Sequence, residues 1–67
     1  MTFSEEFCEN RAREAADAAA LATLGNIRDR ELRSEAAWRT MANRIRETQT
    51  AREARDAARA LAETAPN

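Results

Sequence analysis

Four sets of residues in this chain have types and spacing that could do chemistry. Glu5, Glu6 and Glu9 crowd three carboxylates into little more than one helical turn, an oxygen-rich group of the kind a hard cation draws on. The same three acids at the start of a helix offset the positive end of its dipole, which explains them without a metal. Cys8 is the only cysteine and has no internal disulfide partner, as in a reducing compartment. It reads as a reactive thiol or as a small buried apolar residue, and its place on an apolar face points to the second. Glu31 interrupts an apolar stripe, so a bundle of two copies would bring two such carboxylates near its core. Di-metal carboxylate bundles pair Glu with Glu-x-x-His motifs, however, and the chain has no histidine. A boundary carboxylate paired with an arginine, Arg11 being the candidate, is the simpler reading. Finally, Arg28, Arg30, Arg33, Arg39, Arg44 and Arg46 could form a phosphate-binding face. They point in several directions and alternate with acids.

Composition narrows the classes further. Eleven arginines stand against twelve Asp and Glu for a net charge of -1, and Lys, His, Tyr and Val are absent. That excludes a histidine-based triad or zinc site, a Schiff-base lysine and a Walker-type phosphate loop. The reading is therefore of no catalytic, cofactor or metal residues. A polyanion partner is disfavoured by the balanced charge. Met1 to Cys8 carries two acids and no long apolar run, so it does not read as a signal peptide. No segment reaches the roughly 20 apolar residues of a membrane span, and a cytoplasmic protein is the expectation.

The elements that must position these residues are helical. Seventeen of the 67 residues are alanine, and Arg, Glu and Leu rank close behind it as helix formers. Thr2-Phe3-Ser4-Glu5 has the form of a capping box. The only interior glycine is in Gly25-Asn26, which reads as a helix stop followed by a cap for the next helix. The chain then divides into a first helix over about 3–24, a turn at 25–26, and a second helix over about 27–47. That is an antiparallel hairpin. The first helix gathers Cys8, Ala12, Ala15, Ala19 and Ala22 on one side, with Phe7 and Ala18 beside them. The second carries Ile27, Ser34 and Met41 at one position of a near-heptad repeat and Glu31, Trp38 and Ile45 at the other. After Ile45 the stripe fails. Ala51, Ala54, Ala58, Leu61, Ala62 and Ala65 recur on nearly the opposite side of a continued helix. Residues 49–67 read as a C-terminal helical extension, partly frayed and ended by Pro66. Either the chain bends near Thr48 or the second helix runs on.

Only eleven side chains are large and apolar, and a two-helix hairpin has no second layer to cover them. Self-association into a homodimeric four-helix bundle follows as an expectation. Phe3, Phe7, Ile27, Trp38, Met41, Ile45 and Leu61 are the residues expected at its interface, or at a surface that docks a larger protein. Charge agrees. Residues 1–24 hold five acids and two arginines, and residues 25–49 hold six arginines and four acids.

An aromatic, an Arg-Ala pair and spaced alanines, then a short turn and Arg, Leu, Ala and Trp before an apolar-Ala pair, appear here as Phe7, Arg11-Ala12, Ala15, Ala19, Arg28, Leu32, Ala36, Trp38 and Met41-Ala42. In this the segment from Phe7 to Glu47 resembles a loose group of small uncharacterised bacterial alanine- and arginine-rich helical-hairpin proteins. The resemblance implies a hairpin fold and brings no activity or site. The group usually has a second apolar residue beside Leu32, where this chain has Glu31 and Arg33. The reading overall is a non-enzymatic helical interaction module. The alternative is a small nucleic-acid-associated or antitoxin-like regulator.

Overall fold

The computed structural model describes residues 3–65, and these form two α-helices, with no strand among the described residues. α1 spans Glu5–Leu21 and α2 spans Gly25–Thr64. At 1.5 Å per residue they are about 26 Å and about 60 Å long. The molecule measures 67 × 18 × 16 Å, a long axis that accommodates α2 without a bend. An antiparallel hairpin is therefore present, with arms of unequal length.

α1 begins on Ser4, whose Oγ accepts a hydrogen bond from the Phe7 amide at 3.0 Å, satisfying one of the free donors of the first turn. The expected cap at Thr2 lies outside the described residues; the cap that forms is two residues later. The helix ends three residues earlier than expected. Ala22 takes extended backbone angles, and residues 22–24 make the connection. Gly25 is not the left-handed stop expected of it. It is the first residue of α2, with negative φ, and Leu24 precedes it as a cap residue that makes no side-chain hydrogen bond. Arg28 supplies the missing polar closure. One turn into α2, its Nη2 donates to the carbonyl of Ala22 at 3.1 Å, placing a cation at the negative end of α1.

Of the two courses open to the chain at Thr48, it takes the straight one. Thr48-Gln49-Thr50 stays helical and α2 continues through Thr64, because neither glycine nor proline interrupts a run rich in Ala, Arg and Glu. The C-terminal helical extension is thus continuous with α2. Pro66 lies outside the described residues. Thr64 donates its hydroxyl to the carbonyls of Ala60 and Leu61 at 3.1 and 3.2 Å.

The buried side chains are small. Cys8, Ala12, Ala15 and Ala19 of α1 and Ala42 of α2 make up the core, spaced by four and three along α1 as a helix seam requires. Glu31, Ser34, Glu35, Trp38 and Ile45 line the α2 side, half-buried. The seam of α2 therefore follows the Glu31–Trp38–Ile45 line and takes in Ala42 in place of Met41. An alanine there suits the close approach that the alanines of α1 permit, and Met41 is left at the margin. From Arg46 to Ala65 every residue is exposed.

Candidate interaction face

Phe3, just ahead of the cap, and Phe7, one turn into α1, stack with ring centres 5.0 Å apart and planes 7° from parallel. Both meet Trp38 of α2 edge-on, at 5.4 and 5.8 Å and at angles of 71° and 76°. Such offset and edge-to-face contacts suit the ring quadrupoles. Arg11, one turn beyond Phe7, sets its guanidinium carbon 5.5 Å from the Trp38 ring centre. These four side chains form one cluster at the end where α1 begins. Met41 is three residues from Trp38 and Ile45 seven, so helical spacing puts both on the cluster's side of α2. Ile45 and Phe3 also share a groove of about 460 Å³ with Ser4, Glu5, Arg44, Thr48, Gln49 and Arg52.

This side is apolar and open. Phe3 is 46 % exposed, Phe7 43 % and Met41 37 %, while Trp38 and Ile45 are half-buried. Toward the turn the same side continues as a shallow cleft between Arg11, Glu14, Ala15 and Ala18 of α1 and Glu31 and Ser34 of α2. Ile27 lies at its turn end. The opposite side of the hairpin is charged: a groove there is lined by Glu9, Arg13, Arg39, Ala42, Asn43 and Arg46. Arg39 binds Glu35 at 2.7 Å, and Arg46 approaches Glu5 across the helices at 3.9 Å while donating to Asn43 at 2.5 Å.

Five of the seven residues singled out in the sequence, Phe3, Phe7, Trp38, Met41 and Ile45, thus fall on one side and near one end. Ile27 shares the side at the other end. Leu61 does not join them. It is 71 % exposed on the uncovered part of α2, in the alanine stripe that faces away from α1. The pairing of Glu31 with Arg11 does not form as expected: Arg11 binds Glu14 on its own helix at 3.0 Å. The role of Arg11 on Trp38 was missed, although its position four residues after Phe7 places it on the aromatic side. Cys8 is fully buried as a free thiol, in the place of a small buried apolar residue that its position on the apolar face indicates. Among the described residues no group of three or more His, Cys, Asp or Glu gathers as a metal site, and no helix is long and apolar enough to cross a membrane.

Comparison with known proteins finds no family model, no curated protein and no solved structure that matches the chain.

Proposed function

We propose that the chain is a non-enzymatic, self-associating helical module, and that a second copy covers the face carrying Phe3, Phe7, Trp38, Met41 and Ile45. One observation carries this reading: burial is inverted. The fully buried side chains are alanines and a cysteine, while Phe3, Phe7, Ile27, Leu32 and Met41 are left substantially exposed. Apolar area removed from water is the main drive to folding, and a seam of methyl groups supplies little of it. Pairing two such faces removes the aromatic cluster from water in both chains and builds the layered bundle that a lone hairpin lacks.

A polyanion-binding role has less support. Arg11, Arg39 and Arg46 are engaged by Glu14, Glu35 and Glu5, and the net charge of the chain is only -1, so no strong field draws a polyanion to it. The test is molar mass by light scattering at micromolar concentration, with circular dichroism alongside. A mass twice the 7.5 kDa of one chain, lost in Phe7→Glu and Met41→Glu, supports the proposal. A one-chain mass with full helicity overturns it and leaves a larger protein partner as the occupant of the face.

A further inference from the structure

Resting on that reading, the charge distribution decides how the two copies are oriented. Two hairpins packed face to face can be related by a two-fold axis parallel to the helices, which sets α1 against the partner's α2. They can also be related by an axis across the helices, which sets α1 on α1 and α2 on α2. Neighbouring helices run antiparallel in both, so topology does not choose between them.

Charge does. α1 holds five acids and two arginines, whereas α2 from Gly25 to Glu47 holds six arginines and four acids. The outer margins of the open face sharpen this. Glu14, seven residues from Phe7, and Asp17 lie along the rim of α1. Arg30 and Arg44, three residues after Ile27 and Met41 of the open face, lie along the rim of α2 with Arg33, and Arg44 borders the groove beside Phe3 and Ile45. The pairs Arg11–Trp38 and Glu5–Arg46 fix which residues of the two helices stand at one height. Glu14 is therefore at the height of residues 35–37, and Asp17 at that of residues 32–34. An axis parallel to the helices keeps heights unchanged between copies, so Asp17 is level with the partner's Arg33, and Glu14 and the partner's Arg30 stand within about one turn to either side of that pair. The other arrangement places arginine rim against arginine rim, a like-charge juxtaposition that disfavours the wrong mode.

We infer that the dimer has its two-fold axis along the helices. Both aromatic clusters then lie at one end of the bundle. From that same end both uncovered halves of α2, residues 50–64, project side by side as two parallel prongs about 22 Å long.

Distances between the two copies test this. With a nitroxide on Ala58→Cys in a Cys8→Ala chain, the parallel-prong dimer holds the labels within about 20 Å, the diagonal of a four-helix bundle plus the label arms. The alternative sends the prongs to opposite ends and separates the labels by about 65 Å. Small-angle X-ray scattering on the unmodified chain needs no substitution. The longest dimension stays near the 67 Å of one chain in the first case and reaches about 85 Å in the second. A two-chain mass with long label distances or the longer particle overturns this orientation and leaves self-association standing. A one-chain mass removes the self-association on which it rests, and this inference with it.

Discussion

Arg11 and Trp38 are joined across the hairpin by a guanidinium that lies 5.5 Å from the indole ring centre, while Glu14 holds the other end of the same guanidinium at 3.0 Å. The contact clamps the aromatic end of α1 to α2 at the place where the alanine seam has least to offer. Because Phe3 and Phe7 also rest on this ring, Trp38 is the hub of the large apolar contacts between the helices.

Trp38→Ala should cost about 2 to 3 kcal/mol of unfolding free energy. That is below the range for fully buried tryptophan because this one is only half-covered. Urea denaturation followed by circular dichroism measures it. Arg11→Ala should cost about 0.5 to 1 kcal/mol in the same experiment, and the two losses should not add, since the residues share one contact.

Gly25→Ala should stabilise the chain by about 0.4 to 1 kcal/mol. Its φ is negative and an added Cβ meets nothing within 4 Å, so the substitution removes unfolded-state freedom at no steric cost. A lower melting temperature in this variant would contradict the account of the turn given above.

Ser4→Ala removes the oxygen that receives the Phe7 amide and should cost about 1 kcal/mol. The same change loosens the base on which Phe3 and Phe7 stack, so tryptophan fluorescence should shift with it.

Ala12→Leu should destabilise the hairpin by about 1 to 3 kcal/mol, because a fully buried methyl on the seam leaves no room for three more carbons without parting the helices. Cys8 gives an independent readout of that parting. Its thiol should resist modification in the native chain and react at the rate of opening, faster in Ala12→Leu than in the unaltered protein.

Much of this architecture is legible in the residues themselves. The spacing of Cys8, Ala12, Ala15 and Ala19 marks the buried side of α1, and the Trp38–Ile45 line marks the side of α2 that faces it. What the sequence obscures are the boundaries and the precise seam. Gly25 has the type of a helix stop, yet the stop is set by the extended backbone at Ala22 and by a side chain six residues on, Arg28, which no local pattern announces. Met41 looks like the better core residue than Ala42. Burial goes to the alanine because close helix approach, a tertiary effect, outweighs the size of the side chain. The fate of residues 48–50 turned on whether a shift of apolar phase breaks a helix. It does not, since local propensity carries the backbone through at residues that are all exposed.

The uninterrupted course of α2 past the end of α1 has a mechanical corollary. With no joint between the hairpin and Leu61, anything grasped near Leu61 is held at a set reach and a set bearing from the aromatic cluster. Each residue added at Thr50 would lengthen that reach by about 1.5 Å and swing the bearing by about 100°. An insert of one or two residues should therefore disable a task that depends on both ends at once, whereas seven, which restores the bearing to within about 20°, should spare it if reach is forgiving. The two ends of the molecule are joined by one continuous helix.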